Sequence, residues 1–499
     1  MDFKKALDAI TKIEKEIDIN SIKISSTQIW PLIRMMLWYQ MMNPNENHVK
    51  MDANSHNYRY IVNEKSLEST IKIQKNKKLE LILFSSSAYY TDKCKDLYYN
   101  RHVDPFSDFF GKTFSILNME LEDANSHIKQ PRKYPGLTIS FSEDRRAIRS
   151  DNTLIPGFDA LRRTVQANTG IELDRRLISE NLRKLRAFLS LFSSVLERLK
   201  PTAVGVICYY HLPAMGLVWA CRRKGIPCVD IQHGKQGRYH GMYTHWTATP
   251  PDGYELLPTA FWTWGEESRD NIAKWLPKNC RTPRVEVLGS PWLSLWMEGP
   301  GCEPAGDGLS RLITRIADRK VILFSMQPLK ENPLPVPLFQ AMRHSPPSWL
   351  WLMRLHPRDA AQQDIWTDFF SQYSMENVEC CLANNLPLFT LLRHSHHHVT
   401  CFSSVAFEAL SFGLSTTIIH PSGKLLYEKY LNDGHYRYAD NYEKIISSVK
   451  IGFLEDKIKE SRPYINHNLE NIHNRLRALL LTENTTLFAK SPGENYADN

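Results

Sequence analysis

The stretch "VTCFSSVAFEALSFGLSTTIIHP", Val399 to Pro421, reads as a short apolar strand, two serines, a helix, a glycine and a second apolar strand. A turn that only joins a strand to a helix needs one serine as a cap. Here Ser403 and Ser404 stand together, and an acid, Glu408, follows on the same helical face. Helix starts carry unpaired N–H groups and about half a positive charge, so a phosphate is stabilised there and hydroxyls add donors. A carboxylate one turn on can accept from the vicinal hydroxyls of a ribose. The strand–helix–strand pattern predicts one unit of a parallel, doubly wound sheet with a nucleotide at its carboxyl edge.

The same alternation runs through both halves of the chain. "KVILFSMQP", "WLWLMRLHP", "VECCL", "HHHVTCFSS" and "STTIIHP" supply strands after about residue 319. Before them, "LELILFSSSAYY", "AVGVICYY", "IPCVDIQHG", "TAFWTWG" and "RVEVLGSPWL" do the same, with the helices "LDRRLISENLRKLRAFLSLFSSVLERL" and "HLPAMGLVWACRRKG" among them. "EGPGCEPAGDG", rich in Gly and Pro, marks a linker. The expected class is α/β: two Rossmann-like domains with a cleft between them, plus N- and C-terminal helices. The expected divisions are a helical segment over 1–75, a first domain over 76–297, a linker over 298–318, a second domain over 319–455, helices over 456–485 and a disordered tail over 486–499.

The 499 residues exceed one core, and the net charge of +8 suits an acidic ligand or an anionic membrane surface. No zinc-finger spacing or aromatic RNA motif points to nucleic acid. Nine cysteines lie scattered with no C-x-x-C pair, which suits reduced thiols and a cytoplasmic setting, and the charged start "MDFKKALDAITKIEKEIDIN" reads against a secretory signal. "IWPLIRMMLWYQMM" is too short to span a bilayer and is interrupted by Arg34. It reads first as a core helix. The sharper reading is a helix at a membrane interface, and with the basic helix from Leu173 it allows peripheral attachment at the inner face of a membrane.

Several strand ends carry chemistry. In "RLHP", Pro357 stops the ladder, His356 points out of the strand end and Arg354 adds charge, so all three suit a phosphate. Ser325 and Gln327 in "SMQP" offer further donors, and Lys424 and Tyr427 follow the second strand of the opening stretch. "DIQHGKQGRYHGMYTHW" sets His233, Lys235, Arg238, His240 and His245 among glycines that let backbone approach a ligand. An imidazole suits removal of a hydroxyl proton near neutral pH, which makes His233 a candidate base. Asp104 in "NRHVDPFSDFF" is the other candidate, with a turn role beside Pro105 as the equal explanation. The acids of "FWTWGEESRD" suit a first helical turn and read as scaffold. In "HSHHH", alternation along a strand sends neighbouring imidazoles to opposite faces, and no metal is expected.

The "HP" and "SS" pair in a second Rossmann half, over Val321 to Asp440, resembles that of bacterial GT-B sialyltransferases and the related Kdo and polysialic acid transferases. "EALSFG" resembles the E-A-x-x-x-G segment of many GT-B glycosyltransferases. The resemblance implies a GT-B fold without a cofactor and a CMP-activated ulosonic acid donor. It further implies that His356, Ser403 and Ser404 contact phosphate or cytidine, and that Glu408 contacts the ribose. "QHG" resembles a loop of CDP-glycerol polymerases and capsule-building GT-B proteins, where its histidine is a candidate base. That position is His233. The sialyltransferases carry an acidic base in a D/E-D/E-G motif, and Asp104 and Asp252–Gly253 are the nearest counterparts here. The expected protein transfers a nucleotide-activated sugar to a surface glycan, with Lys235, Arg238 and Tyr427 binding substrate. A CDP-glycerol or UDP-sugar donor is the nearest alternative, and a non-catalytic nucleotide-binding module of a polysaccharide assembly complex is the second. The acceptor glycan is one that a lipid could carry.

Overall fold

The computed structural model describes residues 3–24, 26–42, 57–62, 64–74, 78–122, 131–144, 154–299, 301–327, 334–454 and 465–481. The first sheet contains β1 (Asn57–Val62), β2 (Leu81–Ser86), β3 (Ile116–Leu121), β4 (Leu137–Asp144), β5 (Ala203–Ile207), β6 (Cys228–Ile231), β7 (Ala260–Thr263) and β8 (Arg284–Val287). Their order is β8-β7-β6-β5-β2-β3-β4-β1, parallel throughout except for β1 against β4. The second sheet contains β9 (Lys320–Ser325), β10 (Trp349–Arg354), β11 (Val378–Glu379), β12 (His397–Thr400), β13 (Thr416–Ile418) and β14 (Tyr436–Tyr438). It is all parallel, in the order β11-β10-β9-β12-β13-β14. Both sheets therefore reverse direction of growth once, between β2 and β5 and between β9 and β12. Ligands of open α/β sheets sit beyond the carboxyl ends of the strands at such switch points.

Parallel strands covered on both faces must be apolar on both faces. In β9, Val321 to Ser325 are all buried, and β12 and β13 are buried throughout. His397 and His398 fit this interior because each ring binds two hydroxyls: Ser415 and Thr417 for one, Ser325 and Thr416 for the other, at 2.8–3.1 Å. These pairs account for two of the four histidines of the run. Among the described residues, no group of three His, Cys, Asp or Glu side chains is arranged to hold a metal.

Helices α1 (Phe3–Glu16) and α2 (Trp30–Met42) belong to the core of the first domain, packed in one cluster with Ile82, Phe84 and Val206. β1 also joins the first sheet. Trp30 to Trp38 are buried, so over these residues α2 is a core helix. Arg34, which interrupts its apolar run, is fully buried against Glu14, donates to the Gly241 and Thr244 carbonyls at 2.9 and 2.7 Å, and lies 4.2 Å from the Trp246 ring. A charge is tolerated inside when it is paired and its donors are satisfied. Among the described residues, no helix is long and apolar enough to cross a membrane.

Helix α3 (Asp104–Phe110) follows a hairpin after β2. The long α4 (Arg175–Leu199) packs on α5 (Leu212–Lys224). The contact is close because Gly216 lacks a side chain: a Cβ there would stand 2.3 Å from that of Phe188. Helix α6 (Pro291–Met297) reaches the second domain, where Trp292 meets Phe389 at 5.5 Å between ring centres. In the second domain α7 (Val405–Ser411), α8 (Pro421–Leu426) and α9 (Glu428–Asn432) face the first. Helix α10 (Leu469–Leu481) returns to the first domain, burying Ile472, Leu476 and Leu480 with Leu81 and Ile207. The tail expected over 486–499 lies outside the described residues.

Candidate functional site

The first domain contributes two loops. Beyond β6 the chain turns through Gln232, His233 and Gly234. The Gln232 amide fixes this turn: its oxygen accepts from the Trp264 N–H at 2.6 Å and its nitrogen donates to the Gly234 carbonyl at 2.8 Å. The His233 ring lies beside those of His102 and Tyr210, at 6.4 and 6.2 Å between centres. Part of the ring opens to the cavity, although protein surrounds it. Its Nδ1 is buried and makes no hydrogen bond among the described residues. Burial holds the imidazole down at about 4; the Ile231 carbonyl opposes this and the Arg101 charge reinforces it. His233 is therefore neutral at physiological pH and keeps a free lone pair or N–H.

The second loop, after the hairpin, presents Arg101 and His102. It is pinned from below by a buried polar set. Asp104 Oδ2 accepts from the Asn100 N–H and Oδ1 from the Asn118 amide, both at 2.8 Å. The Asn100 side chain in turn donates to Ser85 Oγ at 3.0 Å and accepts from the His102 N–H at 3.1 Å.

The second domain contributes the opening motif. Ser404 is the N-cap residue of α7, and the Oγ of Ser403 before it accepts from the Val405 N–H at 3.4 Å. Ser404 makes no capping bond and lines the cavity. Gly413, at φ 74°, takes the left-handed turn that lets the chain leave α7 for β13. Glu408 projects into the cavity with Oε2 buried and unpartnered. Burial pushes its carboxyl up to about 7, opposed by Arg101. A narrow cleft with about 50 Å³ of open space is thereby lined by Arg101, His102 and His233 from one domain and by Ser404 and Glu408 from the other. Its unsatisfied groups are hydrogen-bonding groups, and a nucleotide enters it only as the two domains part to admit one.

No protein-family model matches this chain, and no curated protein does. Among solved structures, a putative UDP-N-acetylglucosamine 2-epimerase from Listeria monocytogenes superposes with a TM-score of 0.50 at 12% identity, over 81% of this chain and 96% of that one. The UDP-GlcNAc 2-epimerase from Methanocaldococcus jannaschii gives 0.48 at 11% identity, over 80% and 99%. The calicheamicin glycosyltransferase CalG4 gives 0.39 at 12%, over 81% and 94%. The chain has the GT-B fold.

In this GT-B arrangement the other expected residues divide by position. Asp104 is fully buried beneath the loop rather than in the cavity. Burial raises its carboxyl to about 7, the Asn100 N–H opposing, and its two oxygens are already occupied. It positions Arg101 and His102 and is not placed to take a substrate proton. Asp252 is exposed and paired with Arg281 at 2.6 Å. Arg354 turns away from the expected phosphate: its Nη1 donates to the carbonyls of Ala383, Asn384 and Leu386 at 2.7–3.1 Å, which closes the end of a short helix. His356 follows the end of β10, half-buried, and is not among the residues lining the cavity. Pro357 begins a short 3₁₀ turn, and its side chain lies outside the described residues. Gln327 is buried, its amide 3.5 Å from the Met326 carbonyl.

Lys235, Arg238 and Tyr427 join the domains. Lys235 Nζ donates to the Leu426 carbonyl and lies 3.6 Å from the centre of the Tyr427 ring. Tyr427 is fully buried and donates to the Ser403 carbonyl at 2.5 Å. Arg238 pairs with Glu428 at 3.5 Å, and Tyr430 donates to Glu267 nearby. Lys235 also lines a recess of about 320 Å³ that shares Gln232 and Trp264 with the main cavity. Sequence reading missed Arg101 and His102. Their signal was a basic pair one residue before Asp104-Pro105, a proline in the first helical turn that fixes where α3 starts.

Proposed function

We propose that the chain is a glycosyltransferase whose second domain holds a nucleotide-activated sugar, with a CMP-linked ulosonic acid as donor and a surface glycan as acceptor. The observation that carries the reading is the meeting of His233 with Ser404 and Glu408 across one cavity, each half supplying a buried polar atom without a partner. Ser404 donates to the nucleotide phosphate, and Glu408 accepts from the ribose hydroxyls. The acceptor hydroxyl oxygen attacks the anomeric carbon as the bond from that carbon to the phosphate oxygen breaks and CMP leaves. His233 takes the acceptor's proton. A neutral imidazole is ready for this at physiological pH, and its low affinity for a proton rises when a bound anion offsets Arg101. Positioning and charge carry most of such a loose displacement.

The CMP preference rests on the resemblance of "RLHP" and "CFSSVAFEALSFG" to CMP-dependent transferases. Mass spectrometry of products from CMP-, CDP- and UDP-activated donors with a glycan acceptor tests it. A product gaining an ulosonic acid is expected. Transfer from UDP-sugars or CDP-glycerol alone would replace the donor, and no transfer from any donor would reduce the protein to a binding module.

A further inference from the structure

Arg101 is a half-buried guanidinium at the mouth of the cavity and comes from the domain opposite the nucleotide motif. Among the described residues it forms no ion pair. Its one hydrogen-bond contact among them is a marginal 3.5 Å to His102 Nε2. Glu408 faces it from the other domain, near enough for their charges to interact, yet the two make no ion pair. Arg354 on the second domain also lies within reach of its field, and the two like charges oppose one another. Around it His102 and His233 are held neutral by burial, so they neither repel nor neutralise it. The loop that carries it is fixed by the buried Asn100–Asp104–Asn118 set rather than left free. A pre-positioned arginine without a carboxylate, across a gap from a carboxylate without a cation, leaves room for a ligand between them.

We infer that Arg101 binds an oxyanion of the donor, a phosphate oxygen or the sugar carboxylate, and so couples donor binding to contact between the domains. This rests on the nucleotide-sugar reading of the cavity. A guanidinium presents two parallel N–H groups to either oxyanion. With the anion in place, the positive field on His233 falls and its proton affinity rises. Arg101 thus links occupancy of the donor site to readiness of the base.

Calorimetric titration of the full chain tests this with CMP, UDP, cytidine and free N-acetylneuraminate, for wild type, Arg101→Met and Arg101→Lys. Loss of a charge-assisted contact lowers affinity by roughly tenfold to a hundredfold. Expected is a fall of that size for Arg101→Met with the oxyanion-bearing probe, an intermediate fall for Arg101→Lys, and no change for cytidine. A loss confined to CMP and UDP assigns the phosphate; a loss confined to N-acetylneuraminate assigns the carboxylate. Both support the inference. If wild type binds nucleotide and Arg101→Met binds every probe equally well, the inference is overturned while the nucleotide reading stands. If wild type binds no nucleotide and no acid, both fall. Equal melting temperatures for the three proteins separate these outcomes from misfolding.

Discussion

Replacing Glu408 by Gln should make the empty protein more stable and the nucleotide complex weaker. Burial moves the Glu408 carboxyl from an ordinary 4.5 to about 7. At 1.36 kcal/mol for each tenfold change in proton affinity, keeping it ionised costs the folded state about 3 kcal/mol above pH 7. The sign follows from the direction of the shift. A carboxyl raised in the folded state contributes its stability fully below 4.5 and loses it as pH rises through about 7. Wild type and Glu408→Gln should therefore match near pH 4, and the variant should gain with pH to a maximum above pH 8. Gln keeps the shape and removes the charge, so roughly 1–3 kcal/mol of gain is the expected range at pH 8. Urea unfolding without ligand, at steps from pH 5 to 8.5, measures it. In titration with CMP the same variant should lose about tenfold or more, since an amide accepts ribose hydroxyls less strongly than a carboxylate. A residue that costs stability and supports binding is functional. Destabilisation at pH 8 with unchanged CMP affinity would refute the reasoning and make Glu408 a structural partner.

His233→Ala should leave CMP affinity within about twofold and abolish transfer; an equal loss of both would remove His233 from the base role. In wild type, burial of His233 at about 4 sets the acid limb of kcat/KM well below pH 6. A limb at 6.5 or above would contradict the free imidazole described here. Lys235→Met removes the amine donor on the Leu426 carbonyl and the Tyr427 ring, which burial brings down to about 7, so that only part of it is charged at neutral pH. A hydrogen bond is worth roughly 0.5–1.5 kcal/mol and more for the charged fraction, enough to shift the balance toward separated domains by about threefold or more. A larger radius of gyration by small-angle scattering is the expected result, and an unchanged radius would show that the aromatic contacts of Trp292 and Phe389 suffice.

The second domain was legible because buried parallel strands write continuous apolar runs. "KVILFSMQP", "WLWLMRLHP" and "STTIIHP" became β9, β10 and β13, with their motifs at the carboxyl ends. "VECCL" gave only Val378–Glu379, since Cys381 already starts a helix. The first domain was harder. β1, β3 and β4 lie toward one edge of the sheet and carry mixed polar residues, so no such run announces them. In the site, Ser404, Glu408 and His233 were readable from local pattern. Lys235 and Arg238 read as ligand contacts because their charges stand among glycines; the partners the fold gives them, Leu426 and Glu428, lie some 190 residues away. Arg354 likewise finds carbonyls about 30 residues on. Burial decides Asp104, and burial depends on the whole fold. Arg34 looked like an interruption because its counter-charge, Glu14, sits on another helix.

The central claim is that the cavity between the domains holds a nucleotide. Calorimetric titration of the wild-type protein with CMP, CDP and UDP tests it most directly. Binding at one site per chain, with CMP at least tenfold tighter than UDP, is the expected result. Preference for UDP would contradict the ulosonic donor, and no binding of any of the three would contradict the claim itself.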